Sequence, residues 1–577
     1  MNYTNNDNIE IIRTLLKKHG VQDIVISPGG TNIPLIKALQ NDDYFTCYSI
    51  VDERSAIYFA IGIYLQKGCC VAAVCTSAQA TRNYIPGLTE AYYKHVPILA
   101  ITMEKHPRFT YQEYMQAPDQ TSLPNDSVKK SVELPYISDI NDVYHSVRCV
   151  NEAILELSRN GLGPVQLCVP WLDFPLKNNE AKIRYIDRFS EKNAKSVNLK
   201  NKRVMLVIGE HRPFTQSEIK AINNFCDNHD VMVYVNHLSN FNNSYTVNAN
   251  LLLSTIREDE FDILKPDIFI TIGGQTGDYP LFLILSNNNL DIEHWRVCED
   301  GKIADTYDKL TRIYQCNIED FFSNIKDGQS NNHSFYQQWV SASNEKNTNI
   351  DVPFSGLSIA QYLHDKMPRE SIIQFSILHS LRIWNLFDLD PSVECYSNVG
   401  AFGIDGGMST LIGQSIVSDK LSFIIIGDLA FYYDMNSLGI RNIKNNLRIL
   451  LINNNGGVEF KLHGGNNEVI NRYIAAGNHF KNAEGWAITC GFHYLKADSM
   501  DEFKTNSKIF LSDSDLPILF EVFVSDEDES YAYNKVLEIN KNFTVSEQLK
   551  KSIKKSAKSL LGKKTVDKIR QIKEDKR

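Results

Sequence analysis

Short, wholly apolar runs recur along this chain, each closed by a polar or glycine-rich turn and followed by a stretch that is apolar on one face only. A helix is predicted over 8–19, a strand over 23–27, a turn at Ser27-Pro28-Gly29-Gly30 and a helix opening near Ile33. The next strand ends at Val51-Asp52-Glu53, followed by a helix over 56–66, a strand over 71–75, a helix over 84–94 and a strand over 98–102. Apolar strands separated by helices read as a parallel, doubly wound sheet covered on both faces. A polar stretch over 177–202 reads as a linker, and strands over 203–209 and 267–274 open a second α/β unit that fades into polar residues 327–351. A third unit starts near Leu357, with strands over 421–426, 447–452 and 516–524. The predicted fold class is α/β, with three doubly wound parallel-sheet domains at 1–185, 195–345 and 355–540 and a basic helical tail at 541–577.

Composition narrows the class without changing that picture. The 577 residues are 43% hydrophobic and 22% charged, as in a globular protein. The first residues show neither a basic segment nor an apolar one, and no apolar run reaches membrane-spanning length. Eleven scattered cysteines form no metal-ligand or disulfide pattern. A cytoplasmic location is expected. The net charge of −9 hides an asymmetry: from Lys541 onward thirteen Lys and Arg face four Asp and Glu, so the body is markedly acidic and offers no nucleic-acid groove.

The chemistry concentrates in 427–457, GDLAFYYDMNSLGIRNIKNNLRILLINNNGG. Asp428 and Asn454 both fall just past predicted strands, hence at the one edge of a parallel sheet where open α/β folds bind ligands. A carboxylate, an amide oxygen and a backbone carbonyl beside glycine form a hard oxygen set suited to Mg²⁺ and a diphosphate. An ordinary strand–helix–strand unit with an Asn-rich turn would read the same way.

Further blocks decide between these. SPGGTNIPL (27–35), DERSAIYFAIG (52–62), CTSAQATRNYIPGLTEA (75–91), SNVGAFGIDGGMST (397–410), GDLAFYYDMNSL (427–438) and NNNGGVEF (453–460) follow one another in the order found in thiamine-diphosphate (ThDP) enzymes. The chain resembles that family, and most closely its SEPHCHC synthase (MenD) branch. The resemblance implies a pyrimidine-binding, a central and a diphosphate-binding domain, in that order, with ThDP and Mg²⁺ as cofactors. It implies that Glu53 hydrogen-bonds N1′ of the aminopyrimidine, so that the 4′ nitrogen can take the thiazolium proton, with the ring then acting as electron sink for CO₂ loss. Asp428, Asn454 and the Gly456 carbonyl would bind the metal, Ile404 would prop the cofactor in its bent form, and Ser77, Asn83, Gly427 and Leu429 would complete its contacts. Relatives join first and third domains across a subunit boundary, which implies a homodimer or homotetramer with sites between subunits.

The substrate positions depart from the family. Its SPGSR block is matched by Gly29-Gly30-Thr31, its TGKR block by Thr276-Gly277-Asp278-Tyr279, and the arginine of its NRGASGIDG block by Val399. An arginine of its NSLVVR block falls at Trp384, with Arg382 close by, while Lys105 stands for an arginine and Gln116 is kept. Glu459 and His463 occupy positions that are apolar in the family. Candidate substrate contacts are therefore Gly30, Thr31, Lys105, Gln116, Ser380, Arg382, Glu459, Phe460 and His463. Losing several cations removes charge-assisted contacts to carboxylates. The expected activity is a ThDP- and Mg²⁺-dependent 2-oxo acid decarboxylase or carboligase that takes a small donor and passes its acyl unit to a proton or a polar carbonyl acceptor, such as one on a sugar nucleotide. The alternatives are a SEPHCHC synthase using 2-oxoglutarate and isochorismate, and a non-catalytic binding protein of the same fold.

The tail places Leu549, Ile553, Ala557 and Leu560 at helical spacing among lysines. It fits an anionic membrane surface or an acidic partner, and equally a solvated helix or one that packs on the acidic body.

Overall fold

The computed structural model describes residues 6–171, 187–190, 199–287, 290–302, 304–325, 333–464, 469–477 and 481–541. Three sheets, of six, seven and six strands, are parallel throughout, with helices between the strands. In spatial order the first sheet is Thr46–Ser49, Asp23–Ile26, Val71–Cys75, Ile98–Lys105, Val165–Trp171 and Ser131–Glu133. The third is Glu394–Ser397, Ile372–Phe375, Ser422–Gly427, Leu447–Asn453, Ile518–Phe523 and His493–Ala497. Numbered along the chain within each sheet, both read 2-1-3-4-6-5. In both, the winding direction reverses between the first and third strands, and a crevice opens at their carboxyl ends. The loops there carry 27–30 and 76–78 in the first sheet, and 376–380 and 427–429 in the third.

The wholly apolar runs end up buried on both faces: Val71–Cys75 and Leu447–Asn453 have no exposed position. Helix boundaries differ from the sequence reading where caps decide them. The first-sheet helix starts at Glu53, because the Asp52 carboxylate accepts the Arg54 N–H at 2.9 Å as an N-cap, and it ends at Gly68 with φ 70°. Glu53 is therefore the first residue of a helix rather than the end of a strand. The helix expected over 84–94 is Ile85–Tyr93, with Pro86 in its first turn, and a short helix that the sequence reading did not place, Gln79–Asn83, precedes it.

The central sheet runs Thr246–Val247, Val231–Tyr234, Val204–Ile208, Ile268–Ile272, Glu293–Val297, Leu310–Gln315 and Asp187–Ser190. Its last strand corrects the reading of 177–202 as linker: Asp187–Ser190 pairs in parallel with Leu310–Gln315 as an edge strand, where polar side chains are tolerated. Helix Ser334–Asn344 likewise lies inside the polar stretch 327–351, anchored by fully buried Phe335 and Trp339. No described helix is long and apolar enough to cross a membrane. The amphipathic tail positions, Leu549 to Leu560, lie outside the described residues.

Candidate active site

At the crevice of the third sheet, Asp428 opens the helix Asp428–Asp434 directly after the strand Ser422–Gly427, with 2% of its surface exposed. Its Oδ2 accepts the Gly456 N–H at 2.8 Å and its Oδ1 the Leu429 N–H at 2.8 Å. Burial pushes the carboxyl up to about 7, against the pull of these backbone bonds. A cation at this point would supply the charge that backbone N–H groups only partly provide.

The three consecutive asparagines have separate tasks. Asn453 donates to the buried carboxylate of Glu521 at 2.8 Å, and Asn455 sits in a turn with φ 60°. Asn454 is buried with its Oδ1 lacking a hydrogen-bond partner among the described residues, an arrangement worth about 1–3 kcal/mol if left so. Gly456 adopts φ 134°, and a Cβ there would meet the Ala475 carbonyl oxygen at 2.6 Å, so no side chain fits. Its carbonyl accepts one N–H, from Val458 at 3.1 Å, which leaves a second lone pair. The buried carboxylate, the orphaned amide oxygen and this carbonyl fit a hard divalent cation that also carries a diphosphate. Among the described residues no trio of His, Cys, Asp or Glu converges on a metal site.

Glu53 lies across from this cradle, buried at 4% exposure. The Tyr433 hydroxyl, on the helix that Asp428 begins, donates to its Oε2 at 2.5 Å and also contacts the Val51 carbonyl; the Asn83 side chain is a further partner. Burial dominates and pushes Glu53 up to about 7. Within the one chain described, Tyr433 of the third unit reaches Val51 and Glu53 of the first.

A folded-state value above the usual carboxyl range means that Glu53 contributes stability in full below pH about 4.5, and that this is lost as pH rises through about 7. At roughly 1.4 kcal/mol per pKa unit the loss is on the order of 3 kcal/mol. Urea unfolding of the cofactor-free protein at pH 5 and pH 8 should show a fall to which buried Asp428 also contributes, and Glu53→Gln should make it smaller by about that amount. An equal fall in wild type and variant would locate the titration elsewhere.

One cavity of about 960 Å³, open mouth included, gathers Ile404, Gly427, Asp428, Leu429, Asn454 and Gly456, together with Ser380, Glu459 and Phe460. Ser77, Asn83, Gly30, Thr31, Lys105 and Gln116 do not line it. Ser77 is buried with its Oγ lacking a hydrogen-bond partner among the described residues, next to Ala78 at φ 69°. Thr31 Oγ1 bonds Thr76 Oγ1 at 2.7 Å, Gly30 is open to solvent, Lys105 sits 6.0 Å over the Tyr114 ring, and Gln116 reaches the Phe402 carbonyl at 3.5 Å. The side chain of His463 lies outside what is described. Where the family pattern has cations, Asp278 is buried and accepts the Tyr234 hydroxyl at 2.8 Å, while Val399 and Trp384 are core residues.

The cavity wall has no lysine or arginine among its described residues. Just behind it, Arg382 Nη1 pairs with Glu459 Oε2 at 2.7 Å, which holds the guanidinium well above its ordinary range. Glu459 therefore faces an arginine rather than standing alone in the pocket. Two wall residues carried no signal in the sequence: His379 and Glu529, on separate elements, meet at 2.9 Å. Only their convergence distinguishes them from ordinary polar positions.

Residues 9–123 match the family model described as "Thiamine pyrophosphate enzyme, N-terminal TPP binding domain". The chain is 33% identical over 550 residues to 2-succinyl-5-enolpyruvyl-6-hydroxy-3-cyclohexene-1-carboxylate synthase of Phocaeicola vulgatus, covering 92% of this chain and 97% of the relative. Proteins of the same name from Bacteroides thetaiotaomicron and Flavobacterium johnsoniae are 31% and 28% identical, over 90% and 87% of this chain and 96% and 93% of theirs.

Proposed function

The chain belongs to the thiamine-diphosphate-dependent enzymes related to 2-succinyl-5-enolpyruvyl-6-hydroxy-3-cyclohexene-1-carboxylate synthase, and from that premise we propose that it decarboxylates a small, uncharged-side-chain 2-oxo acid and joins the acyl unit to a hydroxyl-rich carbonyl compound. When bound, ThDP supplies the electron sink for loss of CO₂. In this reading Asp428, Asn454 and the Gly456 carbonyl hold Mg²⁺ and the diphosphate, Ile404 sets the cofactor's bend, and Gly427 and Leu429 border it. Glu53 holds the proton at the aminopyrimidine N1′, with Asn83 and Tyr433 keeping its carboxyl in place. Ser77, set back from the cavity, would reach the pyrimidine from the first sheet.

The observation that carries the substrate reading is the cavity wall without lysine or arginine among its described residues, with the Arg382 guanidinium behind it already paired with Glu459. A dicarboxylate brought there would lose hydration without gaining a charged partner. The name shared by the relatives favours a second reading, the synthase reaction with 2-oxoglutarate and isochorismate. A panel of 2-oxo acids with ThDP and Mg²⁺, read by CO₂ release, separates the two. Pyruvate-sized donors should turn over at least about tenfold faster than 2-oxoglutarate, a difference of roughly 1.4 kcal/mol in transition-state binding. Glu459→Gln, which frees Arg382, should narrow that gap. Turnover of 2-oxoglutarate with isochorismate and of no smaller acid would overturn the proposal in favour of the synthase.

We read 1–185, 195–345 and 355–540 as the pyrimidine-binding, central and diphosphate-binding domains of a homodimer or homotetramer. The eleven cysteines, none of them in a disulfide, suit a cytoplasmic location.

A further inference from the structure

His379 opens the helix His379–Trp384 at the carboxyl end of the strand Ile372–Phe375. The residue before it, Leu378, adopts φ 66° and ψ −123°, a conformation that costs a non-glycine residue on the order of 1–3 kcal/mol. That turn delivers His379 and Ser380 to the wall of the cavity holding Asp428 and Asn454. Glu529 arrives from the helix Asp526–Asn540, which follows the strand Ile518–Phe523. Its side chain has no solvent exposure; one oxygen accepts the Gly356 N–H at 2.8 Å and the other faces His379 Nε2 at 2.9 Å.

A carboxylate fixed by a backbone N–H can only accept, so it selects the Nε2–H form of the neutral ring. The lone pair is then on Nδ1, which has no hydrogen-bond partner among the described residues. This is the relation of a base to the residue that orients it. The other charged groups around the ring are committed. Arg382 and Glu459 pair with each other, and Tyr533 packs edge-on to His379 with its hydroxyl pushed up by burial. Glu53 is engaged by Tyr433 and Asn83.

We propose that His379, oriented by Glu529, is the acid–base group for the acceptor's carbonyl oxygen, a catalytic role separate from that of Glu53; it rests on the carboligase reading above. As the donor's acyl carbon bonds to the acceptor carbonyl carbon, the carbonyl π pair moves to oxygen. The Nδ1 lone pair of the neutral ring takes the proton of the donor-derived hydroxyl as that carbon is released as a carbonyl, and hands it to the acceptor oxygen, which becomes a hydroxyl, so the histidine begins and ends neutral with its proton on Nε2. The acceptor class is an aldehyde or ketone, whose oxygen must be protonated as the bond forms.

Two measurements on the full chain test this. With wild type, His379→Gln and Glu529→Gln at saturating donor, product formation is followed against pH with a hydroxyaldehyde acceptor, glycolaldehyde. His379→Gln should lower kcat by roughly 100-fold or more and remove one limb of the profile. Glu529→Gln should move that limb with an acceptor KM changed less than about threefold, as a positioning role requires. Both limbs intact in His379→Gln, or CO₂ release by wild type with no coupled product from any aldehyde or ketone, would overturn the proposal while leaving the donor reading standing. A wild type that releases no CO₂ from small 2-oxo acids would instead sink the donor reading. The second measurement, ¹⁵N NMR of the cofactor-free protein's imidazoles, then still decides: His379 should carry its proton on Nε2 in wild type and lose that preference in Glu529→Gln. A proton on Nδ1 in the wild type would overturn the assignment whatever the substrate.

Discussion

Glu53→Gln lowers turnover by roughly two to four orders of magnitude while the fold and metal binding persist. Glutamine matches the carboxyl in shape, and its amide oxygen can still accept from Tyr433, which now meets Glu53 Oε2 at 2.5 Å. It cannot hand over a proton, and the proposed task of Glu53 is to share one with the cofactor's ring nitrogen. The site is prepared for that, since burial raises the carboxyl to about 7, close to the pH at which it would have to exchange. The expected signature is a collapse in kcat with a ThDP dissociation constant changed less than about tenfold, and steady-state kinetics with calorimetric titration would record both. A variant that turns over within threefold of wild type would show that another group holds the proton.

Asp428→Asn acts on binding instead. Its two oxygens organise the turn through the Gly456 and Leu429 N–H groups, and asparagine keeps one acceptor while discarding the charge. Outer-shell changes around metal sites cost about 10–100-fold. Loss of the single carboxylate among the proposed ligands should therefore weaken ThDP binding in the presence of Mg²⁺ by at least about 100-fold, again measured by calorimetry. The cofactor-free variant at pH 8 should be no less stable than wild type, because a carboxyl pushed up to about 7 is there forced to ionise in a buried place. An unchanged dissociation constant would remove Asp428 from the metal site.

What could be read in the sequence depended on how local its cause was. Parallel strands buried on both faces leave continuous apolar runs, so the element pattern of the first and third sheets was open to inspection. Asp428 and Asn454 were also legible, because strand ends fix their common edge. The edge strand Asp187–Ser190 was not, since an edge needs no apolar run and this one lies in polar sequence. Helix Ser334–Asn344 hid for a similar reason, its burial resting mainly on Phe335 and Trp339. Pairs made by folding were beyond reach altogether: Glu53 with Tyr433, Arg382 with Glu459, His379 with Glu529. Glu459 shows the effect most clearly. Its sequence position suggested a carboxylate facing substrate, and the fold gives it a guanidinium.

The contact of Tyr433 with Val51 and Glu53 ties the first and third units of one chain together, although the central unit separates them in sequence. Two proteins, one inactivated by Glu53→Gln and the other by Asp428→Asn, are therefore each defective in a different half of the same site. Mixed after unfolding and refolding together, they remain inactive where the halves of a single chain close on each other. They complement one another where a copy lends its half to its neighbour.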